Sequence, residues 1–444
     1  MIALGSAIGT GLFLGSAVSV GVTGPGVILS YAAGALIALA LMFALAEMSV
    51  VHPVAGSFGI FAETYLHPWA GFAIRYSYWF ALAVALGSEL VAAAIYCHYW
   101  YPGVPAWAWV AGFAAALVYL NAKSVGNFGT LEYWFALIKV VTIFVFLIIG
   151  AALLFGVGFQ RIGTHNYTAF GGFLPHGWTG VWLGIAVAIF SFIGLEVVTV
   201  AAGEASHPET AIPRAARLTL GGLALFYVGG MAVLVGVMPW TQAALTESPF
   251  VRVFQSTGIP FAAAIMNFVV LTAALSSLNA NLYVTTRMLF SLARGGYAPK
   301  FLGELNPRGV PLSALLASTI GMFLALILSV LYRNSAFIVM LGASFFGGIF
   351  GWILIFITHL AFRRHYRRRA KPLPLRFAPR VPWTSLAGLL ALLGVFVSTW
   401  WIPGMRITIL AGLPWLAFIT LCYFLWARRN GARLAELRAE RERE

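Results

Sequence analysis

The chain has 444 residues, 61 % of them apolar and only 9 % charged, with a mean hydropathy of +0.91. Soluble domains carry about a quarter charged residues, so this composition excludes them and leaves a polytopic membrane protein. Two cysteines exclude a disulfide framework, and eight scattered histidines without a His-Glu-x-x-His pair support neither a zinc site nor any other metal; no cofactor is expected.

Apolar runs of about 20 residues, long enough to cross a bilayer, recur along the chain. The first, near 2–22, contains Gly5-Ser6-Ala7-Ile8-Gly9-Thr10-Gly11-Leu12-Phe13. Its glycines and threonine are poor helix formers, so the backbone opens and presents N–H and C=O groups at membrane depth. Such a break survives in lipid only where it is buried in protein or lines a cavity. That marks a binding site over the plainer use of small residues for close helix packing. The run lacks a basic leading segment and exceeds the usual h-region, so it is not read as a cleavable signal peptide.

Runs two to five lie near 27–50, 73–97, 106–120 and 134–155. Glu89 falls in the third, Lys139 in the fifth and Glu132 just before it. Charges inside a membrane are costly and mark ion or substrate pathways. For Lys139 the alternative is a snorkelling side chain, or a pair with Glu132 one heptad earlier. Cys97 and Cys422 read as small buried side chains.

The sixth run, 181–202, carries a second interruption, Phe190-Ser191-Phe192-Ile193-Gly194-Leu195-Glu196. Runs near 218–239, 260–283, 311–331, 336–361, 384–402 and 407–426 complete twelve. Interrupted helices at matching positions of two halves point to a secondary transporter with inverted repeats. The expected fold is therefore an all-α polytopic membrane protein of 12 transmembrane helices, a 5+5 inverted repeat with helices 1 and 6 broken, plus two extra C-terminal helices. Residues 1–155 form the first repeat, 181–361 the second, 384–426 the last two helices and 427–444 a cytoplasmic tail.

With the N-terminus inside, the inside segments hold 21 of the 27 Lys and Arg and the outside ones four: Arg161, Arg252, Arg333 and Arg406. The positive-inside rule places both termini in the cytoplasm. The formal charge of +14 gathers beside a membrane helix, from Arg363 to Lys371, where anionic lipid head groups lie. Lipid contact is preferred there to nucleic acid.

Several motifs resemble the amino acid permeases of the amino acid, polyamine and organocation superfamily, and within it the bacterial amino acid transporters. They are the first broken run, then Pro53-Val54-Ala55-Gly56-Ser57-Phe58, and Glu132-Tyr133-Trp134-Phe135-Ala136-Leu137-Ile138-Lys139. Ser191-Phe192-Ile193-Gly194-Leu195-Glu196, Ala201-Ala202-Gly203-Glu204-Ala205, Ile212-Pro213-Arg214-Ala215 and Thr286-Arg287-Met288-Leu289-Phe290-Ser291-Leu292-Ala293-Arg294 continue the series in the family order. Family members carry a tail before the first helix, so a start inside the motif is read as a shortened one.

The resemblance implies an amino acid substrate, whose carboxylate and ammonium both need partners when buried. N–H groups at Gly9, Thr10 and Gly11, at the positive end of a half-helix, suit the carboxylate. The freed carbonyls of Ala7 and Ile8, with those of Phe190, Ser191 and Ile193 beside Gly194, suit the ammonium. Phe190 resembles the gating aromatic of the family and Glu196 its proton-sensing glutamate, although Glu196 also fits as an acceptor for backbone N–H groups. Lys139, set against Ser276 or Ser277, would stand where related transporters bind sodium and would exchange a proton in each cycle. Glu89 is a further coupling group or a contact to the substrate side chain. Gly87, Asn279 and Ser344 to Gly348 are candidate pocket walls, and Glu47, Glu204 and Arg214 read as gate or packing ion pairs.

The expected function is proton-coupled import of an amino acid across the bacterial inner membrane by alternating access. Walls without Asp favour a neutral amino acid, while Glu89 keeps a cationic or ω-amino substrate open. An amino acid exchanger and a non-transporting sensor share the same site. A membrane enzyme would need a nucleophile with its base, or a metal cluster, and neither is found.

Overall fold

The computed structural model describes residues 8–52, 57–123, 128–196, 208–332, 335–368 and 382–429; among these residues there are helices and turns and no strand. In chain order the helices are α1 (Thr10–Phe13), α2 (Gly15–Thr23), α3 (Val27–Val51), α4 (Ser57–Tyr65), α5 (Pro68–His98), α6 (Ala106–Lys123), α7 (Phe128–Phe155) and α8 (Gly177–Phe192). They continue as α9 (Pro208–Val237), α10 (Pro249–Gln255), α11 (Ala262–Arg294), α12 (Leu312–Ser318), α13 (Ile320–Leu331), α14 (Ala336–Arg368), α15 (Trp383–Ser398) and α16 (Ile407–Arg429).

Nine helical segments among the described residues are long and apolar enough to cross a membrane, against the twelve runs read from hydropathy. The difference has physical causes. Thr10–Val51 counts as one segment of 42 residues because only a short 3-10 turn, Gly24–Gly26, joins α2 to α3. In α6, Trp107, Trp109, Asn121 and Lys123 dilute the hydropathy. The helix α8 is only 16 residues long because it stops at Phe192.

That stop is local chemistry. Ile193 turns to φ −62°, ψ 136°, and Gly194 takes φ +104°, a left-handed conformation that glycine adopts without steric cost. At the first interruption Gly9 is extended, φ −129°, ψ −162°, and helix begins at Thr10.

The helix α5 runs through the centre, packed against α14, α11 and α13. It starts at Pro68, whose fixed φ suits a first helical turn, while Nδ1 of the capping His67 accepts the Trp69 N–H at 3.1 Å. Glycine makes the centre tight: a Cβ on Gly321 of α13 would overlap the Ala83 carbonyl of α5, and one on Gly347 of α14 the Ser77 carbonyl. On the other side α2, α3, α8 and α9 pack together. Hydroxyls stitch this seam, Ser30 donating to the Val181 carbonyl at 2.8 Å, Thr23 to Gly180 at 3.2 Å and Ser19 to Gly184 at 3.3 Å. Small residues and interhelical hydrogen bonds of this kind are what hold helices together in lipid.

Where α3 ends, Glu47 is buried against α14 and α15. Arg363 donates to it from Nη2 at 2.7 Å and from Nε at 3.2 Å. His359 Nε2 lies 3.0 Å from the same carboxylate, with its Nδ1 2.8 Å from the Ser385 hydroxyl. Arg363, read from sequence as a head-group residue, is thus turned inward, because a buried carboxylate on the neighbouring helix needs a counter-charge. Arg364 and Arg367 are exposed, and the Arg368 side chain, Arg369 and Lys371 lie outside the described residues.

Candidate functional site

The start of α1 and the end of α8 meet. With Gly9 extended, the first N–H groups of α1 have no helical acceptor, while the Gly9 carbonyl takes the N–H groups of Leu12 at 3.2 Å and Phe13 at 3.4 Å. A Cβ on Gly11 would stand 3.0 Å from Phe190 Cδ1 and 3.3 Å from Ser191 Cα, so glycine is what lets α1 lie against the end of α8. A Cβ on Gly9 would stand 3.2 Å from Ser277 Oγ and 3.3 Å from Glu89 Oε1.

A cavity of about 120 Å³ opens at this meeting point. Gly9 and Gly11 line it from α1, and Phe190, Ser191, Ile193 and Gly194 from the end of α8. Opposite stand Tyr78, Ala81, Leu82, Ala85 and Glu89 of α5, Ala280, Asn281 and Val284 of α11, and Ser344 of α14. Phe190 meets Phe345 edge-on, with ring centroids 6.2 Å apart.

Charged groups gather on one side. Thr10 turns its hydroxyl and N–H to the Glu89 carboxylate, which also feels the Lys139 charge. Glu89 Oε2 is buried without a hydrogen-bond partner among the described residues. Lys139 is 1 % exposed, with Nζ 3.5 Å from the Ser277 hydroxyl, so it points into the protein and does not snorkel. Glu196 is fully buried and its Oε2 accepts from the Gly194 N–H and the Trp352 indole N–H, each at 3.1 Å. It therefore joins the interruption after α8 to α14.

Of the residues singled out in sequence, the cavity brings together Gly9, Gly11, Glu89, Phe190, Ser191, Ile193, Gly194 and Ser344. Ile8 and Thr10 are buried beside it, and Lys139 and Glu196 lie behind its wall. The Ser191 carbonyl accepts the Tyr227 hydroxyl at 2.9 Å. Gly87 packs on α13, because a Cβ there would press on the Gly321 carbonyl and Ala325. Asn279 faces α6, where its Oδ1 accepts from Asn121 at 2.9 Å. Ala7 and the Glu132 side chain lie outside the described residues.

Tyr78, Ala81, Leu82, Ala85, Asn281 and Val284 were not anticipated. The signal was helical spacing: residues three and four apart share a face, so Glu89 leads back through Ala85, Leu82 and Ala81 to Tyr78. Ser277 leads forward through Ala280 and Asn281 to Val284 in the same way.

The family model for amino acid permeases matches residues 1–436. A gamma-aminobutyric acid permease of Bacillus subtilis (strain 168) is 38 % identical over 433 residues, covering 97 % of this chain and 92 % of that protein. The aromatic amino acid transport protein AroP of Escherichia coli (strain K12) is 40 % identical over 426 residues, covering 95 % and 93 %. AroP of Salmonella typhimurium (strain LT2) is 40 % identical over 425 residues, with the same coverage.

Proposed function

Since the chain belongs to the amino acid permease family, and is a transporter and not an enzyme, we propose that it imports a neutral amino acid across the bacterial inner membrane by proton symport and alternating access. The observation that carries this reading is the meeting of a helix start at Thr10 and a helix end at Phe192 at one cavity beside a buried lysine. In the proposed topology twelve helices cross the membrane. The 42-residue stretch Thr10–Val51, about 63 Å at ~1.5 Å per residue, has length for two passages of a core of about 30 Å. Residues 1–155 and 181–361 are the inverted repeats, residues 384–426 add two helices, and both termini are cytoplasmic by the excess of Lys and Arg in the inside segments. The exposed Arg364 and Arg367 face anionic lipid head groups there.

The N–H groups of Gly9 and Gly11 hold the substrate carboxylate, Thr10 between them being turned to Glu89, and the carbonyls left open near Gly9 and Gly194 hold its ammonium. Each charge-assisted hydrogen bond contributes about 1.5–3 kcal/mol, so several offset the cost of stripping water from both groups. Phe190 closes over the bound amino acid. Gamma-aminobutyric acid and the aromatic amino acids named for the relatives are net-neutral zwitterions, which supports a neutral substrate. Lys139 is the proton carrier, with Glu89, Glu132 and Glu196 as further members of the route. One proton moving down about 150 mV supplies about 3.5 kcal/mol, enough for a few hundredfold accumulation.

Reconstituted without sodium, the native protein should accumulate amino acid when the outside is acidified, and Lys139→Met should only equilibrate or exchange it. Gradient-driven accumulation in Lys139→Met would move the proton role to another carboxylate. A native protein indifferent to pH but stimulated by internal amino acid would be an exchanger, and one that binds without moving substrate a sensor.

A further inference from the structure

We infer that Asn281 of α11 reads the substrate's side chain, and that the preferred substrates are neutral amino acids whose side chains end in a hydroxyl or a carboxamide. The inference rests on the transport reading above and deepens it.

It comes from asking which polar side chains of the cavity are already committed. Five line it: Tyr78, Glu89, Ser191, Asn281 and Ser344. The Ser344 hydroxyl donates to the Leu341 carbonyl of its own helix at 2.9 Å. Ser191 shares a hydrogen bond of 3.3 Å with the Tyr31 hydroxyl, while the Tyr78 hydroxyl is fully buried on the side of Glu196, with no hydrogen bond to the described residues. Glu89 faces Thr10 and Lys139, on the side where the substrate's own charges would sit. The Asn281 carboxamide makes no hydrogen bond to the described residues and stands at the cavity wall.

Its position fits a side-chain reader. Asn281 lies one helical turn beyond Ser277, the hydroxyl next to Lys139, and so one turn removed from the charged side. The lining residues Ala81, Leu82, Ala85, Ala280 and Val284 offer only apolar groups. A carboxamide both donates and accepts, so it complements groups that do the same, namely hydroxyls and carboxamides. An apolar side chain of the same shape would strip water from Asn281 and return no hydrogen bond, and a site built around a polar partner rejects the analogue lacking it. The one carboxylate among the described lining residues, Glu89, already faces Lys139.

Two nearly isosteric pairs test this, threonine against valine and asparagine against leucine, in competition for uptake by the reconstituted full chain and in thermal-shift titrations. The native protein should favour the polar member of each pair by roughly tenfold or more. Asn281→Leu should abolish or reverse that preference. Asn281→Gln, which keeps the carboxamide, should retain part of the preference, and Asn281→Ala should lose it without adding bulk. Equal treatment of both pairs by the native protein, or an unchanged ratio in both Asn281→Leu and Asn281→Ala, overturns the assignment. A native protein that takes up none of these amino acids likewise overturns the assignment, and one that takes up no amino acid at all, gamma-aminobutyric and aromatic ones included, overturns the transport reading itself, which separates the two failures.

Discussion

At Gly11 a single hydrogen atom separates a working contact from a collision. The nearest backbone atom, Ser191 Cα, would lie 3.3 Å from an added Cβ, and backbone cannot swing aside as the Phe190 ring can. Gly11→Val should therefore remove amino acid binding, read as the loss of any substrate-induced thermal shift. The apo protein should still elute as a single folded species, because the collision falls at a cavity and not in solid core. Unchanged affinity in a folded Gly11→Val protein would move the carboxylate away from this segment. Gly9, Gly11, Glu89 and Gly194 were legible in sequence because glycines and ionisable residues are anomalies inside an apolar run, and Phe190 through its resemblance to the family's gating aromatic. Ala81, Leu82 and Ala85 were not, because alanine and leucine are the background of any span. Only their three- and four-residue spacing from Glu89 marks their face.

Between elements, glycine content does not predict tolerance; what each glycine touches does. A Cβ on Gly184 of α8 would overlap the Thr23 hydroxyl and lie 2.7 Å from Ser30 Oγ, whereas one on Gly221 of α9 would meet nothing within 4 Å. Gly184→Leu should force α8 off α2 and α3, break the hydroxyl seam and leave little monodisperse protein after detergent extraction. Gly221→Leu should express normally and gain a degree or more in melting temperature, since glycine costs a helix about 1 kcal/mol against better formers. Hydropathy located most helices but misplaced their ends. The run near 73–97 belongs to a helix that starts at Pro68, where His67 supplies the cap, and the run near 260–283 to one that continues to Arg294. Such extensions mix apolar residues with Pro, Gly, Thr, Ser and Arg, which break an apolar run while the helix continues by hydrogen bonding.

At the scale of the whole molecule, Glu47, His359, Arg363 and Ser385 tie α3 to α14 and α15. These elements belong to different neighbourhoods, α3 packing on α8 and α9 and α14 on α5. Removing one partner of a buried ion pair costs about 3–5 kcal/mol, because the other charge is left without compensation. Arg363→Met should therefore lower the melting temperature substantially, and adding Glu47→Gln should restore part of the loss. Additive losses in the double variant would mean that the two side chains do not act as a pair.

The tie also sets a timetable. Glu47 and Arg363 are 316 positions apart in the chain. At about 5–20 residues per second, a ribosome needs roughly 15–60 s to make the second after the first. During that interval the nascent protein holds a carboxylate in α3 whose guanidinium does not yet exist, so its early helices wait in an unfinished state that quality-control proteases can recognise. Premature termination anywhere upstream of α14 should therefore yield fragments that are cleared and do not accumulate.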